Sequence, residues 1–202
     1  MGINTFTCDY PCTDVHSPMI FPQPDLDPRN IRVVMISECP PASQSDYFYG
    51  SSSGAFFQTT KTAFRDAGAA IENYEDLTRM GIYLTTAIKC GKTGYLVPAK
   101  TIKECALRFL KPELEQFPGI GMILCMGDFA IKAVNYVYKE KYGKNPILSG
   151  STYKIRKQEH IQNGIRFLPS YTHTGDSFNI EKVKRQMIAE DIRTALNYLE
   201  SL

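Results

Sequence analysis

Two residues that could perform acid–base chemistry each follow a short apolar run. Glu38 comes just after the run at residues 31–36, and His173 lies in a Ser/Thr/Gly-rich loop after the run at residues 165–168. In open α/β sheets, ligands bind outside the carboxyl ends of the strands. If both runs are parallel strands, a carboxylate and an imidazole meet at that edge and could act as an acid–base or electrostatic pair. The alternative for each is a solvated loop side chain.

The elements that must position these residues alternate along the chain. Buried parallel strands read as nearly continuous apolar runs, and helices as apolar residues three to four positions apart. The strand-length runs are residues 31–36, 82–88, 122–126 and 165–168. The helical patterns are residues 56–67, 74–80, 102–114 and 128–137, with a last one from about residue 180. This alternation predicts an α/β fold, a three-layer α/β/α sandwich with a four-stranded, mostly parallel central sheet.

Three segments carry more local signals. Residues 101–104 (Thr-Ile-Lys-Glu) match a capping box at the start of the third helix. Residues 152–157 could pair with residues 165–168 in a hairpin that turns at residues 163–164 (Asn-Gly). Residues 1–30 show no usable periodicity and are predicted to be an irregular lead-in that carries two cysteines.

The composition limits the classes of protein to which the chain can belong. A chain of 202 residues with 43% hydrophobic and 22% charged residues is typical of one soluble domain, spanning residues 1–202. The formal net charge of +2 does not by itself indicate nucleic acid. No apolar run approaches a membrane span and the amino terminus lacks the pattern of a secretory signal, so we expect a cytoplasmic protein with no membrane partner. Six cysteines in a reducing compartment are expected to be core residues, metal ligands or redox groups.

Several segments, in chain order, resemble the uracil-DNA glycosylase superfamily, most closely its four-cysteine iron–sulfur branch. Residues 34–41 (VMISECPP) are similar to that branch's Val-Gly-Glu-Ala-Pro-Gly water-activating motif, and residues 46–50 to its acidic-then-aromatic loop. Residues 83–90 (YLTTAIKC) are like its Tyr-Ile-Thr-Asn-Ala-Val-Lys-Cys. Residues 104–110 and 123–130 resemble its Glu-x-x-x-Cys-x-x-x-Leu and strand-Gly-x-x-Ala segments, and residues 169–175 resemble its His-Pro-Ser loop. The resemblance covers most of the chain.

The resemblance implies a DNA glycosylase that hydrolyses the N-glycosidic bond of uracil or another deaminated base. Cleavage of that bond builds oxocarbenium character on the sugar and negative charge on the departing base. Glu38 would act on water, and His173 would donate a hydrogen bond to the leaving base. A base that has left the stack would lie against a flat side chain, which Phe48 or Tyr49 could supply. The expected substrate-binding residues are Phe48, Tyr49, Thr86 and Asp46.

A glycosylase must also hold DNA through its phosphates. Lys154, Arg156 and Lys157 form a local basic cluster, and the resembling motifs add Lys89 and Ser170. We expect a monomer that binds damaged DNA, either single- or double-stranded. The alternative for the basic residues is an ordinary solvated face.

The cysteines resemble the ligand set of the iron–sulfur branch. Cys8 and Cys12 lie near the amino terminus, Cys90 follows the second strand, and Cys105 lies early in the next helix. Four thiolates from three segments would suit a 4Fe–4S cluster that staples the amino-terminal segment to the sheet. Zinc would accept the same four sulfurs. The other alternative is that the cysteines are unrelated small hydrophobic residues, as we expect for Cys125 within a strand.

Three departures from the family pattern define the competing hypotheses. Thr86 stands where the family has a base-reading asparagine, and a hydroxyl cannot give the bidentate pattern of an amide. The first cysteine pair is one residue wider than the family's Cys-x-x-Cys, and His173 is followed by Thr-Gly rather than Pro-Ser. The chief rival is a non-catalytic iron–sulfur or nucleic-acid-binding protein on the same scaffold. A flavodoxin-like nucleotide-binding protein is disfavoured because no Gly-rich phosphate loop follows the first strand.

Overall fold

The computed structural model describes residues 2–6, 8–16, 18–94, 96–175 and 177–202. The strands are β1 (Gly2–Phe6), β2 (Val15–His16), β3 (Met19–Gln23), β4 (Val33–Ser37), β5 (Ile82–Thr86), β6 (Gly91–Lys92), β7 (Met122–Met126), β8 (Ile161–Gln162) and β9 (Ile165–Ser170). The helices are α1 (Ala55–Asp66), α2 (Tyr74–Arg79), α3 (Ala99–Cys105), α4 (Lys111–Leu114), α5 (Asp128–Tyr142), α6 (Thr152–Ile155), α7 (Ser177–Ile180) and α8 (Lys182–Glu200). A π-helical turn, Ala106–Leu110, joins α3 to α4. None of the described helices is long and apolar enough to cross a membrane.

Five strands form the central sheet in the order β5-β4-β7-β9-β8. The first four are parallel to one another, and β8 is antiparallel to β9. Every residue of β4, β5 and β7 is buried, which explains why these strands are apolar or uncharged along their whole length. Helices α1 and α8 pack together, as do α3 and α5, and both α5 and α8 contact β7. The predicted α/β fold is confirmed, with five strands in the sheet where four were predicted.

The hairpin at the edge of the sheet differs from the predicted one. Residues 163–164 do form its turn, and both have positive φ, 51° at Asn163 and 77° at Gly164, as a two-residue hairpin turn requires. That turn fixes the register, so the partner of β9 is the pair of residues just before it, Ile161 and Gln162. The prediction that residues 152–157 form the partner strand is wrong, because helix α6 occupies residues 152–155.

The amino-terminal residues are more ordered than predicted. Strands β1 and β3 form a two-stranded antiparallel sheet, and β2 pairs with β6. The prediction that residues 1–30 are irregular is therefore wrong for these strands, which are short, with a proline inside β3. The Ile20 amide donates to the Lys89 carbonyl at 2.6 Å, and the Thr93 amide donates to the Asp14 carbonyl at 3.1 Å. These bonds hold the lead-in against the segment that follows β5.

Helix α3 begins earlier than its sequence pattern predicts. Its N-cap is Pro98, so residues 101–104 lie inside the helix, and the predicted capping box there is wrong. The Thr101 hydroxyl donates instead to Asp14 Oδ1 at 3.1 Å, which ties α3 to the lead-in. A capping box is present at α2, between Asn73 and Asp76.

Candidate active site

The loops that carry Glu38 and His173 lie side by side at the carboxyl edge of the sheet. Strand β4 ends at Ser37, whose hydroxyl is hydrogen-bonded to the Thr174 hydroxyl at 2.9 Å and lies 3.4 Å from that of Thr172. Strand β7 is the one strand between β4 and β9. The loop after β9 therefore crosses the end of β7 to reach the loop after β4.

Glu38 is held against the start of α5. The Phe129 amide donates to Glu38 Oε1 at 3.4 Å, and Lys92 Nζ lies 3.9 Å from Oε2. Gly127 has a φ of 101°, and a Cβ there would lie 2.6 Å from Glu38 Oε1, so only glycine fits. Burial raises the pKa of the Glu38 carboxyl and Asp128 adds to the shift, whereas the Phe129 amide and Lys92 oppose it. With 23% of its side chain exposed, Glu38 is a carboxylate that water can reach.

His173 is completely buried in the loop after β9. Its Nε2 lies 2.9 Å from the Thr60 hydroxyl of α1, and its ring contacts Phe178 edge-on. The other ring nitrogen, Nδ1, is buried without a hydrogen-bond partner among the described residues. Burial lowers the pKa of the imidazole from 6.5 to about 4, so the ring is neutral near pH 7. His173 thus has one nitrogen bonded to the protein and one without a protein partner.

The aromatic side chains that were predicted to stack on a base lie in the core. Phe48 is 0% exposed and packs against Phe56 with ring centroids 5.1 Å apart. Tyr49 is 2% exposed, and its hydroxyl accepts the Leu84 amide at 2.8 Å. Neither ring has a face open to a ligand in this structure. A base could stack on them only after the loop that carries them moves.

Asp46 lies in the same loop and contacts the start of α1. Its Oδ1 accepts the Ala55 amide at 3.3 Å, the first amide of that helix. The loop is wound tightly on itself, because a Cβ at Gly54 would lie 2.4 Å from the Ser45 carbonyl oxygen. In this structure Asp46 helps to fix the first turn of α1.

Thr86, the residue at the position of the family's asparagine, is bonded to the protein itself. Its hydroxyl is hydrogen-bonded to the Tyr47 hydroxyl at 3.0 Å, and both residues are 0% exposed. This bond holds the end of β5 to the aromatic loop. A base could use the Thr86 hydroxyl only in competition with Tyr47.

Lys89 was predicted to contact DNA, but the structure buries it completely. Its ammonium donates to Glu113 Oε2 at 2.5 Å, to the Thr85 hydroxyl at 2.8 Å and to the Thr86 carbonyl at 2.7 Å. Glu113 Oε1 in turn accepts the hydroxyls of Tyr83 and Thr85, both at 2.8 Å. Lys89 has no surface for a phosphate and is the centre of a buried polar network beneath the end of β5.

Ser170 and Arg156 were also predicted to contact DNA and are also buried. The Ser170 hydroxyl donates to Asp191 Oδ2 at 2.6 Å, and the Arg156 guanidinium donates to Asp191 Oδ1 at 2.7 Å. The first bond attaches the end of β9 to α8, the second attaches the end of α6 to α8, and neither side chain lies on the surface. Of the predicted basic cluster, Lys154 and Lys157 are exposed.

The four cysteines predicted to be ligands line one cavity. They are Cys8, Cys12, Cys90 and Cys105. Pairing of β2 with β6 holds the amino-terminal pair beside the segment that follows Cys90. The Tyr10 amide donates to Cys8 Sγ at 3.5 Å, and the Lys89 amide donates to Cys105 Sγ at 3.4 Å. Burial raises the pKa of the Cys90 thiol to about 12 and that of Cys105 to about 11, and nearby thiols add to both shifts.

A sequence model of the Uracil DNA glycosylase superfamily matches residues 24–192. The chain belongs to that superfamily. A similar protein is the Type-5 uracil-DNA glycosylase of Thermus thermophilus, which is 23% identical over 182 residues covering 86% of this chain and 78% of that protein. The range matched by the superfamily contains the central sheet and the loops of Glu38 and His173. Cys8 and Cys12 lie ahead of it.

Among the residues that the structure describes, no three His, Cys, Asp or Glu side chains are close enough together to hold a single metal ion. Of the two remaining cysteines, Cys125 is buried in β7, as expected, and Cys39 is buried beside Glu38.

Sequence reasoning missed three residues that hold the elements around the candidate site in place: Thr60, Glu113 and Asp191. Glu113 and Asp191 are charged residues at core-facing positions of α4 and α8. A charged residue at an apolar position of a helix indicates a buried partner, and this could have been noticed in the sequence. Thr60 lies within the helical pattern of residues 56–67, but no local pattern connects it to a histidine 113 residues away.

Proposed function

We propose that this protein hydrolyses the N-glycosidic bond of uracil or another deaminated base in DNA, with Glu38 acting on the attacking water. The observation that carries the proposal is the Glu38 carboxylate, partly exposed at the carboxyl edge of the sheet and held there by the Phe129 amide. A carboxylate in that position can orient water and favour the developing oxocarbenium ion. The superfamily match supports the reaction class.

The DNA in this proposal is bound through exposed basic residues. Lys154 and Lys157 remain on the surface and are available to phosphates, whereas Lys89, Arg156 and Ser170 serve the fold. Phe48 and Tyr49 become base-stacking surfaces only if the aromatic loop opens on binding. Such rearrangements on binding occur in a substantial minority of complexes.

A 4Fe–4S cluster held by Cys8, Cys12, Cys90 and Cys105 is part of the proposal. The four sulfurs line one cavity, and two of them accept backbone amides, as cluster thiolates do. A zinc ion needs every ligand sulfur about 2.3 Å from one centre, whereas each thiolate of a cluster binds a different iron. Both accept four cysteine thiolates, so the metal content of the purified protein distinguishes the cluster from zinc. When bound, the cluster would supply a cross-link between three segments, and the hydrolysis itself needs no electron transfer.

The chemistry is tested with oligonucleotides that contain one uracil or one hypoxanthine, followed by alkaline cleavage of abasic sites. We expect strand breakage by the wild type and a loss of about 10²- to 10⁴-fold in Glu38→Gln, the range typical of a positioned acid or base. Glu200→Gln, on the exposed end of α8, is the matched control and should retain wild-type activity. Equal rates in wild type and Glu38→Gln contradict the proposal.

The cluster is tested by purification without oxygen. We expect a brown protein with broad visible absorbance and a loss of that absorbance in Cys90→Ala. Cys125→Ala, which removes a core cysteine outside the cavity, should keep the colour. A colourless, iron-free wild type contradicts this part of the proposal and leaves the glycosylase assay unaffected.

One observation favours a second candidate function, a nucleic-acid-binding protein without catalysis. The Thr86 hydroxyl is occupied by Tyr47, and the two candidate stacking rings are buried. Binding of uracil-containing DNA without strand breakage would favour this candidate over the glycosylase.

A further inference from the structure

The hydrogen bond between Thr60 and His173 fixes which imidazole nitrogen carries the proton. The Thr60 hydroxyl has one proton, and its oxygen lies 2.6 Å from the Phe56 carbonyl, one helical turn earlier. A carbonyl can only accept, so that proton points to Phe56. The same oxygen lies 2.9 Å from His173 Nε2 and must accept there, so Nε2 is the nitrogen that carries hydrogen.

The other nitrogen is consequently a lone-pair acceptor without a donor. Nδ1 of His173 is buried and unpaired within the described part of the chain. A buried acceptor without a partner destabilises a protein and is uncommon in folded structures. Burial lowers the pKa of the imidazole to about 4, so near pH 7 Nδ1 is not protonated and remains a buried acceptor without a partner. A ligand that donates a hydrogen bond would supply that partner.

Deamination of a base creates a donor of the required kind. Cytosine has a lone pair at ring N3, whereas uracil has N3–H. Adenine has a lone pair at N1, whereas hypoxanthine has N1–H. An acceptor held in a fixed tautomer would attract the deaminated base and repel the parent base.

We propose that Thr60 is a positioning residue that holds His173 as the Nε2–H tautomer, so that Nδ1 accepts the ring N–H of a deaminated base. This inference rests on the proposed function and names the group that reads the substrate. It changes the role predicted for His173 from donor to acceptor, since its one N–H is bonded to Thr60. It also supplies a reading group in addition to Thr86, whose hydroxyl is bonded to Tyr47 and cannot give the bidentate pattern of an amide.

For a base to reach Nδ1, part of the loop after β9 must move aside while His173 keeps its bond to Thr60, since His173 has no exposed surface. That loop is held by the hydroxyl contacts of Thr172 and Thr174 with Ser37. These are bonds between neutral side chains, which contribute less to stability than hydrogen bonds to charged groups.

The tautomer can be observed directly by ¹⁵N NMR of the histidine rings. The chain has three histidines, and His173→Asn identifies the signal of interest. We expect protonated Nε2 and unprotonated Nδ1 in the wild type and in Thr60→Ser. In Thr60→Val, which removes the acceptor at nearly constant volume, the pattern should shift toward a mixture of tautomers. Protonated Nδ1 in the wild type overturns the proposal, whether or not any variant folds.

The ligand's effect is measured in Glu38→Gln, which binds substrate without consuming it. An oligonucleotide containing uracil should shift the Nδ1 signal of His173, and the same strand with cytosine should not. An Nδ1 signal that uracil leaves unmoved, in a complex shown to form, overturns the proposal.

Kinetics separate this inference from the proposed function. We expect kcat/KM on uracil to fall on the order of tenfold in Thr60→Val, the effect of one lost hydrogen bond, and to stay near wild type in Thr60→Ser. An active wild type with protonated Nδ1 overturns the inference and leaves the glycosylase standing. An inactive wild type with protonated Nε2 overturns the glycosylase and the base-reading role, and leaves the tautomer assignment standing.

Discussion

The ends of β5 and β9 present buried polar groups of two different kinds. Beneath β5, the ammonium of Lys89 makes three hydrogen bonds, and both oxygens of Glu113 accept hydrogen bonds. After β9, His173 is just as buried, yet one of its two ring nitrogens has no partner. A satisfied network contributes rigidity and a defined structure, whereas an unsatisfied group is stabilised by whatever ligand completes it. The comparison separates polar residues whose hydrogen bonds are complete from a residue that lacks one partner.

The largest effect is expected where the network is satisfied. Lys89→Met leaves the carboxylate of Glu113 buried without its cation, and removal of one partner of a buried ion pair typically destabilises by about 3–5 kcal/mol. The free energy of unfolding in urea measures the loss. The double variant Lys89→Met/Glu113→Gln should recover part of it, because no buried charge remains. A single variant as stable as the wild type would show that water reaches this pair.

His173 should make stability depend on pH, with the sign set by its lowered pKa. The unfolded chain takes up a proton near pH 6.5, whereas the folded protein takes it up only near pH 4. Between pH 4 and pH 6.5 the unfolded chain binds this proton and the folded protein does not. The part of the unfolding free energy that depends on the neutral imidazole is therefore fully present above pH 6.5 and is lost as the pH falls toward 4. The shift corresponds to about 3 kcal/mol.

The measurement is the unfolding free energy of wild type minus that of His173→Asn at several pH values. Carboxyl groups with raised pKa, such as Glu38 and Asp191, titrate in both proteins and cancel in the difference. A difference that does not change between pH 7 and pH 4.5 would show that the imidazole is solvated in solution.

A smaller effect is expected at the end of β9, where the polar group is again satisfied. Ser170→Ala removes the 2.6 Å bond to Asp191, and a hydrogen bond to a charged group contributes about 1.5–3 kcal/mol. Ser53→Ala removes an exposed bond to Ser51 and is the matched control, with an expected change below about 0.5 kcal/mol. Equal losses in the two variants would remove the distinction between buried and exposed bonds.

The sheet could be predicted because its signal is local. Strands β4, β5 and β7 are buried along their full length, so their sequences read as continuous runs, and the Asn163-Gly164 turn follows from backbone preference at two residues. The amino-terminal strands could not be predicted in this way. They are short, and β2 pairs with a strand more than seventy residues later, so their pairing depends on tertiary contacts.

The positions of Glu38 and His173 at the edge of the sheet could be predicted, but the residues that bond to them could not. The ends of the strands indicated Glu38 and His173, because parallel strands bring their carboxyl ends to one edge. The burial of Lys89 could not be read from the sequence, since lysine is almost never fully buried unless it is paired and its partner Glu113 lies 24 residues later. Phe48 lies in a loop, where no periodic pattern indicates which side chains are buried. The partner of His173 lies 113 residues earlier, and its one signal was a hydroxyl on an apolar helical face.

The smallest effect is expected for the basic residues that stay exposed. Lys154→Ala and Lys157→Ala should each lower the slope of log affinity for DNA against log salt by about 1, because each phosphate contact releases a counterion. Fluorescence anisotropy with a labelled oligonucleotide at several salt concentrations measures the slope. Lys144→Ala is the control, because it is exposed beyond the carboxyl end of α5, whereas Glu38 contacts the amino end of that helix. If all three variants give the wild-type slope, DNA is bound on another surface, and the division between buried scaffold and exposed contact residues must be drawn elsewhere.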